Sequence, residues 1–269
     1  MKCYRGKIIL FPLVLLTFSF AKAQVLQNFS DQLDELRSDR SESLKMAIGY
    51  YKDLLRQASP ETADSAYVML EDFAVSLTRN IHFNLILLRF GNQDCNNWEK
   101  KAAADYTDLL YGHYFSVIRK DGLITVRPDL MRIQTELKHF LSPRTYAYFE
   151  AVQQDTNAQG NTGIVDFTPG ELAQRACFWD GFLLDEVPFL FREEAIQRRD
   201  AYIEQLVFGS DRQPVFGEDG LLNEAFRKAY QKILRDCGEG KTKTVVGRYW
   251  EVLDKNDYRD CPEIWMFQY

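Results

Sequence analysis

Apolar and polar residues alternate along most of this chain with helical spacing, and the longest such run lies between Ser59 and Gly91. Ser59-Pro60-Glu61 reads as an N-cap hydroxyl, a proline at the first helical position and an acid in the first turn, and Gly91 supplies a stop. A helix over that span would be about 46 Å long at about 1.5 Å per residue. At about 100° per residue, Ala63, Ala66, Tyr67, Leu70, Phe73, Ala74, Leu77, Ile81, Leu85 and Leu88 share one stripe, with Asp64, Asp72, Ser76 and Arg79 on the back. That pattern predicts an amphipathic core helix whose back faces water. From Phe83 the back turns apolar too, with Ile86 and Phe90, so the second half should be covered on both sides. Asn84 falls within the apolar stripe; a buried amide needs partners, which makes it a candidate ligand contact.

The same spacing predicts helices elsewhere. Asn28 to Arg37 gives a short start, and Asp39 with Glu42 reads as a capping box for a helix carrying Leu44, Ile48, Tyr51 and Leu55. Asn97 to Lys120 reads as helix, closed by the turn signal Asp121-Gly122, and Leu123 to Val126 as a brief extended piece. Pro128 to Leu141 and, after Ser142-Pro143, a further segment to Gln154 complete the first half. Residues 155–167, with Gly160 and Gly163 among threonine and asparagine, form the best loop and a candidate subdomain boundary. Thr168-Pro169-Gly170-Glu171 is a capping box before Leu172, Ala176, Trp179 and Leu183. Helices follow up to Gly209 and over Leu221 to Asp236. The tail changes character: Thr244 to Leu253 and Glu263 to Tyr269 are rich in Val, Tyr, Trp, Ile and Phe, which predicts antiparallel strands. The expected fold is mainly α, a single-domain, bundle-like helical array over residues 24–269 with a small C-terminal antiparallel β element.

Charge and cysteines add a compartment. Lys2, Arg5 and Lys7 precede an apolar run from Ile8 to Phe20, and Ala21-Lys22-Ala23 forms an A-x-A cleavage pattern before Gln24. Residues 1–23 therefore read as a signal peptide, too short for a comfortable membrane span, and the chain as exported to a periplasm or medium. Its removal takes four cations from a chain of formal net charge −6, leaving about −10. Without clustered Lys and Arg, nucleic acid is not expected as a partner. Cys95, Cys177, Cys237 and Cys261 remain, enough for two disulfides in an oxidising compartment. Cys237 with Cys261, the pair nearest in sequence, is the expected bridge.

Candidate chemistry is sparse. Gly238-Glu239-Gly240-Lys241-Thr242 resembles the end of a phosphate loop, but Arg235 stands where the pattern needs glycine and a helix precedes it, so it reads as a loop. Glu136 and His139 supply half of a carboxylate-bridged metal motif without a second half, and no metal or other cofactor is expected. No Gly-x-Ser-x-Gly or comparable nucleophile motif occurs. Tryptophan stands beside acid at Trp98-Glu99, Trp179-Asp180 and Trp250-Glu251; an aromatic face next to a carboxylate suits a sugar ring or an organic cation. Trp179-Asp180 is the strongest of these, with Asp185 and Glu186 following. The expectation is an exported, soluble, non-catalytic protein that binds a protein, small molecule or glycan, with Asn84, Trp179 and Asp180 as contacts. The alternative is a glycan hydrolase using Asp180, Asp185 and Glu186 as acid and base.

Overall fold

The computed structural model describes residues 10–80, 97–120, 123–158, 167–184, 189–265 and 267. They are predominantly helical, with one two-stranded antiparallel sheet. The elements are α1 (Leu10–Asp34), α2 (Glu42–Leu55), α3 (Pro60–Asn80), α4 (Asn97–Gly112), β1 (Phe115–Lys120), β2 (Leu123–Pro128), α5 (Leu130–Leu137), α6 (Pro143–Ala158), α7 (Pro169–Leu183), α8 (Arg192–Phe208), α9 (Glu224–Asp236), α10 (Lys241–Lys255) and α11 (Pro262–Trp265). Two compact units, Met1–Phe149 and Glu150–Tyr269, divide the chain within α6. Among the described residues no helix is long and apolar enough to cross a membrane.

In the first unit α1, α2 and α3 pack together. Phe29 and Leu33 of α1 are buried, and Phe29 meets Tyr51 edge-on with ring centroids 5.9 Å apart. Leu44, Ile48, Tyr51 and Leu55 of α2 are buried at the spacing that predicted them. So are Ala63, Ala66, Tyr67, Leu70, Ala74 and Leu77 of α3, while Asp72 and Arg79 face water. Ser59 caps α3 as expected, its hydroxyl accepting from Thr62 N at 3.3 Å. Asp64 differs from expectation. It is buried and accepts from the backbone N–H of Ser142 at 2.9 Å, just ahead of α6, because an unpaired N–H at a helix start needs an acceptor. Asp39 does not cap α2; both its oxygens pair with Arg37, at 2.9 and 2.7 Å. The second half of the expected long helix, with Asn84, lies outside the described residues.

The sheet is a hairpin in the first unit. β1 and β2 pair from Phe115 opposite Pro128 to Lys120 opposite Leu123. The helix expected to reach Lys120 therefore stops at Gly112, and the antiparallel pair falls in mid-chain, not at the C-terminus. Thr244 to Leu253 belongs to α10. Thr242, Val245, Val246, Tyr249 and Leu253 are its buried residues, and their spacing is helical; their β-branched and aromatic character serves burial and not pleating.

In the second unit α7 packs most extensively on α8, and also on α9 and α10. The Thr168 capping box is complete: its hydroxyl accepts from Glu171 N at 3.3 Å, and Glu171 accepts from Thr168 N at 2.8 Å. The disulfide corrects the expected Cys237–Cys261 bridge. Cys237 is bonded to Cys177, with Cα atoms 5.5 Å apart, and Cys261 is a free thiol. The packing of α9 on α7 brings together two cysteines 60 residues apart, so proximity in sequence was the wrong guide. Cys95 lies outside the described residues.

Candidate functional site

Helix α7 carries the chemistry of the second unit on two faces. Neighbouring residues on a helix point about 100° apart, so Trp179 and Asp180 meet different partners. Trp179 is fully buried, and its indole N–H donates to Asp155 Oδ2 on α6 at 3.2 Å. The Tyr202 hydroxyl on α8 donates to the same oxygen at 2.7 Å, and Arg175 Nη1 pairs with Asp155 Oδ1. The Arg175 guanidinium lies 4.0 Å from the centroid of Phe167. Asp155, 4% exposed, is thus a buried carboxylate held by three donors, one of them charged.

Asp180 points to α8 and α10. Its Oδ2 accepts from the backbone N–H of Thr242 at 2.6 Å, and Oδ1 pairs with Arg199 Nη1 at 3.4 Å. Thr242 Oγ1 donates to Ala176 O at 3.2 Å. Asp180 therefore caps α10 from another helix, placing an anion where the first-turn N–H groups and the helix dipole favour one. Gly240, the N-cap of α10, makes room for it: a Cβ there would stand 2.8 Å from Asp180 Cγ. The phosphate-loop look of Gly238 to Thr242 has this physical meaning, an anion-accepting helix start filled by the protein's own carboxylate. The network continues through Asp200, which accepts from Arg199 Nε and Lys241 Nζ, both at 2.9 Å. Burial alone would raise the Asp200 carboxyl, but its bonds from Lys241 and Arg199 outweigh that and hold it below the usual range.

Beside the Asp155–Arg175 pair a groove of about 280 Å³ opens, lined by Ala151, Gln154, Asp155, Glu171, Gln174, Arg175 and Phe178. Phe178 is 49% exposed, although it also meets the rings of Trp179 and Phe182. A smaller groove of about 210 Å³ has Gln174 and the Cys177–Cys237 bridge in its wall, with Lys232, Ile233 and Asp236.

Of the residues singled out from the sequence, Trp179 and Asp180 are buried and turned apart, and Asn84, Asp185 and Glu186 lie outside the described residues. Trp179 has no exposed face on which a sugar could stack. Asp180 has both oxygens engaged and, in this arrangement, is spoken for as a helix cap. Glu136 and His139 do not meet over a metal: Glu136 is held by Lys52 and by the Tyr114 hydroxyl at 2.7 and 2.8 Å, and His139 is exposed. Among the described residues no cluster of three or more His, Cys, Asp or Glu is placed to hold a metal ion. The groove residues escaped notice in the sequence, yet a signal was present. Glu171, Gln174, Arg175 and Phe178 recur at i, i+3, i+4 and i+7, a polar helix face that carries one phenylalanine. No protein-family model, curated protein or solved structure matches the chain.

Proposed function

We propose that this is an exported, non-catalytic binding protein whose ligand occupies the groove between α6 and α7. The observation that carries this is the half-exposed Phe178 ring at a groove whose other walls supply the amides of Gln154 and Gln174 and the carboxylate of Glu171. A ring beside hydrogen-bonding groups suits a small polar molecule with one apolar face. The paired charges of Asp155 and Arg175 cancel, so Glu171 leaves the lining with one net negative charge. Such a lining favours a ligand that donates hydrogen bonds, a neutral sugar ring or an ammonium group, over an anion.

Export is supported by the basic start, apolar run and A-x-A pattern of residues 1–23, and by the Cys177–Cys237 disulfide, which suits an oxidising compartment. The test is a thermal-shift and calorimetric screen of the purified protein against neutral sugars, basic peptides and organic acids. A sugar or ammonium compound should raise the melting temperature in a concentration-dependent way. Stabilisation by organic acids alone, or by none of the three classes, would overturn the proposal.

A further inference from the structure

The structure points to a modification at the new N-terminus. We propose that Gln24, made N-terminal by the export proposed above, closes to a pyroglutamyl lactam. Lys22, Ala23 and Gln24 are all exposed in α1, and the first described buried side chains of that helix are Phe29 and Leu33. A chain starting at Gln24 keeps both anchors, including the Phe29 ring 5.9 Å from Tyr51, and carries its terminal glutamine in solvent. The described contact of the Gln24 side chain is an exposed hydrogen bond from Nε2 to Asn28 Oδ1 at 2.8 Å, a pairing too weak to withhold the amide from reaction.

The chemistry needs no further reactant. The α-amino nitrogen of Gln24 attacks Cδ of its own side chain, the Cδ–Nε2 bond breaks, and the amide nitrogen leaves as ammonia. A five-membered lactam remains, and the terminal cation is gone. The helix favours that product. A free ammonium at Gln24 would sit at the N-terminus of α1, where the dipole is already positive and the first-turn N–H groups lack acceptors. The lactam is neutral and keeps the side-chain carbonyl oxygen, now fixed beside the α-nitrogen at the same end.

The experiment is intact-mass analysis and N-terminal sequencing of the full chain, recovered after export with its own leader and then held at neutral pH. The expected result is a chain starting at Gln24, lighter by one ammonia and resistant to sequencing, whereas Gln24→Ala, cut at the same bond, remains sequenceable. A chain starting at Gln24 that keeps its full mass and a free amine overturns the lactam while leaving export intact. A chain that keeps Met1 overturns both, and one cut at another bond overturns the lactam while leaving export intact.

Discussion

Asp180 on α7 accepts a hydrogen bond from the backbone N–H of Thr242, 2.6 Å away, and so starts a helix 62 residues further along the chain. The contact joins α7 to α10, and Gly240 is the residue whose missing Cβ permits it. Asp180→Ala would leave the Thr242 N–H without its acceptor and Arg199 short of one of its two carboxylates. Removing one member of a buried charged pair costs about 3 kcal/mol, so the variant should unfold at clearly lower denaturant. Gly240→Ala should cost about 1 to 3 kcal/mol, because the added carbon lands 2.8 Å from the carboxylate. Denaturant unfolding of both single variants and the double variant checks the relationship. The double variant should lose less than the sum, since Asp180→Ala removes the carboxyl atoms 2.8 Å from the added methyl and leaves its own Cβ at 3.2 Å; simple additivity would sink the account.

The Cys177–Cys237 bond closes a loop of 60 residues within the second unit. In the chain-entropy model a loop of that size stabilises by about 4 kcal/mol. Cys177→Ser should therefore lower stability, and Cys261→Ser should change little because Cys261 is a free thiol. Peptide mapping without reduction should link the peptides that carry Cys177 and Cys237. A linkage from Cys237 to Cys261 would restore the pairing expected from the sequence and refute the structural one.

What the sequence disclosed divides by range. Helix starts were legible where the chemistry is local, as at Ser59-Pro60 and at Thr168 with Glu171, because cap and partner lie within one turn. The hairpin was not, since Val117 and Ile118 continue the helical spacing of the preceding segment and conceal the strand alternation on either side of Asp121-Gly122. The strand composition around Val245 and Tyr249 misled for the opposite reason, as buried helix and buried strand draw on the same side chains. At the candidate site, the Trp179-Asp180 adjacency was visible but its meaning was not. The partners that decide it, Asp155 and Thr242, lie 24 and 62 residues away.

Tyr114 should make the first unit sensitive to alkali. It sits at φ 67°, the left-handed turn between α4 and β1, and its hydroxyl donates to Glu136, which also pairs with Lys52. Burial first, then the Glu136 carboxylate, push the Tyr114 hydroxyl up to about 12 from its ordinary 10.0. A folded-state value above the unfolded one contributes stability that is complete below pH 10 and is lost as pH rises towards 12. Tyr114→Phe should flatten that part of the stability-against-pH curve and, because the hydroxyl also helps Lys52 hold the Glu136 carboxyl below its ordinary range, should lessen the stability lost on acidification. Urea unfolding at several alkaline pH values reads the slope, and identical slopes for wild type and variant would refute the linkage.

Phe178 separates a ligand-binding role from a packing role. Its ring is 49% exposed at the groove, with its inner edge against Trp179 and Phe182 at centroid distances of 5.3 and 6.1 Å. Phe178→Ala should therefore cost only about 1 kcal/mol of stability, the worth of an exposed aromatic contact. Loss of a stacking face should weaken a sugar or ammonium ligand by about tenfold, since about 1.4 kcal/mol corresponds to that factor. Trp179→Phe should show the reverse. It keeps most of the buried volume but removes the indole N–H that reaches Asp155 at 3.2 Å, and so costs stability while leaving the Phe178 ring at the groove. Calorimetric titration and chemical unfolding of the two variants, side by side, check the division. Equal loss of binding in both would mean that affinity follows overall integrity and that the Phe178 ring does not meet the ligand.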